Sequence, residues 1–314
     1  MTARVRVPAS SSNLGAGFDC IGVAVDRWLV ASVSLAAGRE ISIRRDGRLT
    51  AVSVAVDDDL LARGFRAACA AAGVPATGAA IDATSDIPVG CGLGSSAAAI
   101  VGGVLLADAA LELNLTRQQI VEIAAAIEGH PDNVSPAVYG GAVLSVRTSA
   151  GLVSTPLTIA AGLELLLAVP PFPSDTKAAR ALLPKTLPHA EAALAASRAA
   201  ALVQGLSTGD GALLGAALDD VLHVPFRRAR IPGYDAVVVA AQRAGAFGAT
   251  LSGAGSAILA IVPRERSATV GAAMLAAWRT AGVEAELIRS AHPVPGATVN
   301  RIPSMSHPVS SELS

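Results

Sequence analysis

The stretch IPVGCGLGSSAAA, Ile87 to Ala99, runs from a glycine-rich turn straight into an apolar helical pattern, and the rest of the chain is read outward from it. Gly90, Gly92 and Gly94 carry no Cβ, so the backbone can turn sharply and bring its N–H groups close to an anion. Ser95 and Ser96 open the helix, whose unsatisfied N–H groups and positive dipole end then point at that anion. A P-loop needs a lysine at its end, whereas the only lysines of this chain are Lys177 and Lys185. A phosphate held here must be neutralised by backbone N–H groups, the helix dipole and a divalent metal. The same residues also suit a plain Gly/Ser turn capping a packed helix, and the stretch alone does not decide between the two.

With 314 residues the chain is long enough for two domains. Hydrophobic residues make up 52% of it but aromatic ones only 3%, so the core has to be closely packed Ala, Val, Leu and Ile. The longest apolar runs, such as Ala97 to Ala107, fall short of the roughly 20 residues of a membrane span. No membrane partner is expected, and MTARVRVPASSS lacks the apolar run of a signal peptide. Lys plus Arg number 24 against 25 Asp plus Glu, a net charge of −1, which removes the general electrostatic case for nucleic acid and favours a small-molecule partner. Cys20, Cys69 and Cys91 form no CxxC pair, so neither a disulfide framework nor a zinc site is implied and a cytoplasmic location fits. Cys91 reads as a small side chain filling a tight turn.

Ala3 to Val7 alternate as a strand, PASSSNLGAGFD reads as a polar loop, and a second strand runs over Ile21 to Leu35. Ile41 to Arg45 and Leu49 to Val56 alternate on either side of Asp46-Gly47, which predicts a hairpin. A helix is expected from about Asp59 to Ala72, a strand over Ala79 to Asp86, and the loop's own helix to about Leu113. Thr116 with Gln119 predicts a capping box for a helix that ends near Glu128, where Gly129 and Pro131 stop it. Glu128, His130, Asp132 and Asn133 crowd that stop. Three strands follow between Gly140 and Val169, then helices alternate with strands near 249–251, 257–262 and 283–288. The Pro- and Ser-rich end reads as a mobile tail over 296–314.

Three stretches, SSSNLGAGFD, GLGSSAA and LSGAGSA, together resemble the three motifs of the GHMP kinases. Within that superfamily the resemblance is closest to the homoserine kinases, because VPASSSNLGAGFD, EGHPDNVSPA, TKAAR, HVPFRRARIPG and LSGAGSA fall in the expected order from Val7 to Ala257. The resemblance implies an α+β (α/β two-layer) fold: a ribosomal protein S5 domain 2-like ATP-binding half, 1–160, and a ferredoxin-like half, 161–295, with the active site between them. It implies ATP and Mg²⁺, phosphorylation of L-homoserine to O-phospho-L-homoserine in threonine biosynthesis, and a possible homodimer.

Residue by residue, the resemblance carries the phosphate loop onto Pro88, Val89, Gly90, Cys91, Gly92, Leu93, Gly94, Ser95, Ser96, Ala97 and Ala98, with Gly253 and Gly255 from the third motif. Ser96 and Glu128 are the implied metal contacts, oxygen ligands of the kind a hard cation prefers. Asp19 with Asn13 would take the substrate ammonium, Arg180 with Arg227 its carboxylate, and His130 and Asn133 would steer the hydroxyl. Asp132 occupies a position proposed as a base in some superfamily members; here it is expected to organise its loop, with Glu128 and Arg180 carrying the catalytic work. The chain departs from the family pattern at Ser256, Asp59 and Ala195, where proline, asparagine and asparagine are usual. Rival readings are a kinase for threonine, mevalonate or a sugar, a silent GHMP-fold binding protein, and an NAD enzyme. The last is disfavoured because Asp108 and Glu112, at the right distance from Gly92 to Ala97, lie in a helical pattern.

Overall fold

The computed structural model describes residues 2–75, 77–290 and 293–302. Its first sheet holds β1 (Thr2–Asn13), β2 (Gly17–Ala36), β3 (Ile41–Gly47), β4 (Gly78–Ser85), β5 (Ala142–Thr148), β6 (Gly151–Leu157) and β11 (Thr298–Ile302). Strand order is β11-β1-β2-β4-β3, with β5 pairing the early part of β2 and β6 pairing β5. The second sheet, in order β10-β7-β9-β8, holds β7 (Leu163–Val169), β8 (Gly248–Leu251), β9 (Ile258–Pro263) and β10 (Glu286–Ser290). With α9 (Tyr234–Arg243) and α10 (Ser267–Thr280) in the two crossovers this is the βαββαβ order of a ferredoxin-like sheet, as expected.

Against the first sheet pack α1 (Leu60–Ala71), α2 (Ser95–Leu111), α3 (Arg117–Glu128) and α4 (Val134–Tyr139). The apolar run of α2 is explained by its position: Ala97, Val101, Val104 and Leu106 are all fully buried, because the helix is enclosed by α1, α3 and the strands rather than lying on the surface. Helices α1 and α2 approach at backbone distance, since a Cβ on Gly103 would lie 2.1 Å from the Leu61 carbonyl oxygen. Among the described residues no helix is long and apolar enough to cross a membrane.

The remaining helices, α5 (Thr176–Ala181), α6 (His189–Thr208), α7 (Gly211–Leu218) and α8 (Val224–Arg227), fill the long connection from β7 to α9. Strand β7, LELLLAV, is buried along its whole length because both its faces are covered. Leu166 and Ala168 pack with Val237, Met274 and Trp278, while Leu165 and Leu167 join the core of the first half. One apolar core therefore continues across the two sheets.

Four expectations change. The polar loop after Val7 is strand: β1 runs on to Asn13, and Ser10, Ser11 and Ser12 are buried because loops from both halves satisfy their hydroxyls. The hairpin at Asp46-Gly47 does not form. Strand β3 pairs in parallel with β4 across α1, and the chain turns after Gly47 into a short 3₁₀ helix, Arg48–Ala51. Alternation over Leu49 to Val56 announced a half-buried surface without naming its partner, and that surface is a cleft wall. The stretch EGHPDNVSPA, read only as the stop of α3 by Gly129 and Pro131, also begins a further helix, α4, at Val134. Of the expected tail, Thr298–Ile302 is an edge strand antiparallel to β1, and 303–314 lie outside the described residues.

Candidate active site

The glycine loop takes the shape its residues require. Gly90, Gly92 and Gly94 have φ of 72°, 81° and 63°, in the left-handed region, and α2 begins at Ser95 with no side chain capping its N–H groups. The loop also lies too close to its neighbours for side chains: a Cβ on Gly92 would sit 2.1 Å from the Ser252 carbonyl oxygen, and one on Gly94 the same 2.1 Å from Ser10 Oγ. Ser252 Oγ donates to the Gly92 carbonyl at 2.5 Å, and the Ala257 N–H to that of Cys91 at 3.0 Å. The third motif thus clamps the first turn of the loop, and Ser256, where the family pattern has proline, donates to the Phe172 carbonyl at 2.5 Å.

In front of the loop lies a cleft of about 450 Å³ lined from both halves. It reaches Gly90, Gly92, Leu93, Gly94, Ser95, Ser96, Val89 and Gly253, together with Asn13, Asp19, Glu128, His130, Asp132, Asn133, Arg180 and Arg227. Pro88, Cys91, Ala97, Ala98 and Gly255 do not line it. Ala97 and Ala98 point into the α2 core, Gly255 packs towards Ile231, and Pro88 and Cys91 border a second cavity behind the loop.

At the helix mouth Ser96 Oγ donates to Glu128 Oε1 at 2.6 Å, so the two expected metal contacts meet. Burial raises the Glu128 carboxyl above its ordinary range, outweighing the Ser96 hydrogen bond. Beyond them, His130 Nδ1 lies 2.6 Å from Asp132 Oδ1, and Asp132 is buried. Burial alone would lower the His130 value, but the hydrogen bond and charge of Asp132, with Glu128 and Asp19 nearby, raise it. Asn133 is spent on structure: it accepts from Ser10 Oγ at 3.0 Å and donates to Ser12 Oγ at 3.1 Å, tying the His130 loop to β1.

Asp19 and Arg180, expected on opposite ends of a substrate, pair with each other through two hydrogen bonds of 2.8 Å. The pair overcomes the cost of burying Asp19 and lowers its carboxyl. Asp19 itself holds φ +57°, as do Asn13 and Leu14 at +74° and +45°, a run of left-handed backbone that non-glycine residues adopt only when their surroundings enforce it. Asn13 enforces part of it, accepting from the Asp19 N–H and donating to the Gly253 carbonyl, both at 3.0 Å. Asp19, His130 and Asp132 bring their ligating atoms within 4.8 Å of one another.

Arg227 is different. It is 3% exposed and, among the described residues, forms no ion pair. Its guanidinium has only long contacts to neutral acceptors: Ala179 O at 3.3 Å, His223 Nδ1 at 3.3 Å and Gly253 O at 3.4 Å. Phe18 lies between the two arginines, 5.4 Å from the Arg227 guanidinium and 5.7 Å from that of Arg180.

Reading the sequence residue by residue missed the wall made by Leu49, Val52 and Val54, and it missed Phe18, Arg45 and His223. Val54 is 45% exposed, yet its alternation read as a strand; no local signal distinguishes a cleft wall from a sheet face. Asp59, the position where the family pattern has asparagine, caps α1 through Leu61 N–H at 2.8 Å and pairs with Arg45 at 2.5 Å.

Fold and cleft define the class: an α+β protein that sets an anion cradle beside a compact cluster of opposite charges. The GHMP kinase N-terminal domain model matches residues 59–141, and the GHMP kinase C-terminal model matches residues 199–280. The homoserine kinase of Trichormus variabilis is 38% identical over 94% of this chain and 97% of its own. That of Gloeobacter violaceus is 41% identical over 88% and 93%. The crystal structure of homoserine kinase from Cytophaga hutchinsonii superposes with a TM-score of 0.86 at 29% identity, covering 95% of this chain and 97% of that one. The mevalonate kinase of L. major, at TM-score 0.65 and 17% identity, shares the fold. The chain belongs to the GHMP kinase family and, within it, to the homoserine kinases.

Proposed function

We propose that the protein transfers the γ-phosphoryl group of ATP to the side-chain hydroxyl of L-homoserine, giving O-phospho-L-homoserine for threonine biosynthesis. The observation that carries the substrate assignment is Arg227, a buried guanidinium without a carboxylate partner among the described residues, lining the same cleft as the glycine loop. A buried cation held by long contacts to neutral groups suits a ligand carboxylate better than a neutral sugar. The carboxylates of Asp19 and Asp132, gathered beside the His130 ring within 4.8 Å, suit the ammonium of the same amino acid.

Ser96 and Glu128 offer a hydroxyl and a carboxylate at the helix mouth, a donor set that fits Mg²⁺, and they are the residues that would hold it. When bound, the cation supplies charge neutralisation at the β- and γ-phosphates. The protein's own contribution is the backbone N–H cradle from Gly90 to Ser96 and the orientation of homoserine by Arg227 and Asp19 in a cleft lined from both halves. Asp132 is engaged by His130 at 2.6 Å and acts as organiser of its loop; the hydroxyl proton leaves late, without a dedicated base.

The change of sheet between Leu157 and Leu163 supports dividing the chain near residue 160 into an ATP-binding half and a C-terminal half. Three free cysteines support a reducing cytoplasm as its compartment. The test is an ADP-release assay with Mg²⁺ and ATP on L-homoserine, L-threonine, mevalonate and galactose. Preference for homoserine is the expected result; preference for another alcohol overturns the amino-acid pocket, and no turnover on any overturns the kinase reading.

A further inference from the structure

His223 takes no part in the phosphoryl chemistry described above, yet it is fully buried between the two halves of the amino-acid end of the cleft. Its Nε2 lies 3.2 Å from the Gly15 carbonyl oxygen and its Nδ1 3.3 Å from Arg227 Nη1. These two neighbours admit one proton arrangement. A carbonyl only accepts, so Nε2 carries the hydrogen; a guanidinium only donates, so Nδ1 presents its lone pair. A second ring proton would face the Arg227 N–H head-on. Burial and the Arg227 charge favour the neutral ring, outweighing the carboxylate of Asp220.

The ring is itself held. Asp220 Oδ2 accepts from the His223 and Val224 N–H groups at 2.7 and 2.8 Å, and Phe18 stacks on the imidazole at 5.0 Å between centroids. Gly15 belongs to the left-handed run that carries Asn13 and leads to Asp19, and the Ala16 N–H is anchored on the Ala217 carbonyl at 3.0 Å. We infer that His223 is a positioning residue: through one fixed neutral tautomer it couples the strained Asn13–Asp19 turn to Arg227 and sets the direction in which that guanidinium meets a substrate carboxylate. The inference rests on the homoserine reading of the cleft.

The two hydrogen bonds can be separated by substitution. His223→Asn places an amide oxygen near Nδ1 and keeps the acceptor for Arg227, His223→Gln reaches towards Gly15 and loses it, and His223→Leu loses both. Steady-state kinetics with L-homoserine and with 3-aminopropan-1-ol, which lacks the carboxylate, read the effect. KM for homoserine is expected to rise about 10- to 100-fold in the Leu and Gln variants and by less than about 3-fold in Asn, with kcat little changed. The 3-aminopropan-1-ol kcat/KM should stay within about 3-fold throughout. In an Arg227→Ala background the His223→Leu loss should vanish.

Equal losses on both substrates, a full His223→Leu loss without Arg227, or a normal Gln with an impaired Asn variant would each overturn the inference. The Asn and Gln variants keep a polar side chain on one of the two partners, so the contrast between them remains readable if the Leu protein does not fold. Failure of the wild-type protein to use homoserine is a separate outcome that strikes the substrate reading.

Discussion

Replacement of Arg227 by methionine isolates the group on which the substrate assignment stands. In the structure its guanidinium meets neutral acceptors at 3.3 to 3.4 Å, so binding a carboxylate would break no existing ion pair. Hydrogen bonds to charged groups are worth about 1.5–3 kcal/mol, and losing one partner of a buried pair costs about 3–5 kcal/mol. Taking about 3 kcal/mol, at about 1.36 kcal/mol per decade, gives a loss of roughly 150-fold in kcat/KM for homoserine. Arg180 has a 44% exposed side chain already paired with Asp19, so solvent screening reduces its share to about 1 kcal/mol, or about 5-fold in Arg180→Met. The assay is initial-rate ADP release over a range of homoserine at saturating Mg²⁺ and ATP, with a thermal melt of each variant. Arg227→Met should melt no lower than wild type, because an unpaired buried charge is exchanged for an apolar side chain of similar reach. A loss below about 5-fold at Arg227, or a larger one at Arg180, in proteins with wild-type melting would refute the assignment.

Gly92→Ala should destabilise the protein by more than about 2 kcal/mol in urea unfolding, because the new Cβ would meet the Ser252 carbonyl. Gly38→Ala, at φ +85° but with nothing within 4 Å, should cost only the backbone strain, so equal losses at the two sites would contradict the clamp. Asp132→Asn should lower kcat by about 10-fold or less; a loss near 10⁴-fold with homoserine binding intact would make Asp132 a true base. His130 titrates above its ordinary value because Asp132 pairs with it despite burial, so the stabilisation is complete below the unfolded value of about 6.5 and is lost as pH rises through the higher folded value. The melting-temperature gap between wild type and His130→Gln should therefore be widest near about pH 6 and narrow towards about pH 9; a gap constant with pH would refute the pairing.

Several elements were legible because their signal is local. The capping box of Thr116 and Gln119, the start of α1 near Asp59, the glycine stop after Glu128 and the sharply turning glycines of the loop each depend on backbone geometry within a few residues. The resemblance carried by the order of motifs implied that Glu128, His130, Arg180 and Arg227 share one site, and all four line the cleft. What failed was partner choice. Alternation in Leu49 to Val56 and in Thr298–Ile302 records that a side chain has an inside and an outside, but whether the inside is a sheet, a cleft or nothing depends on chain far away.

By itself the sequence determined the glycine turn and the caps and stops around it, since each follows from steric freedom or hydrogen bonding within a few residues, and the resemblance of its motifs supplied the residue types of an amino-acid pocket. Only the tertiary structure decided how the charges are shared. Asp19 satisfies Arg180, Asp132 satisfies His130, and Arg227 is left facing the cleft with His223 behind it. Arginines 47 positions apart in one chain look alike as letters; the difference between a paired, half-exposed guanidinium and a buried, unpaired one is a difference of desolvation and distance, and both come into being only when the two sheets close on each other.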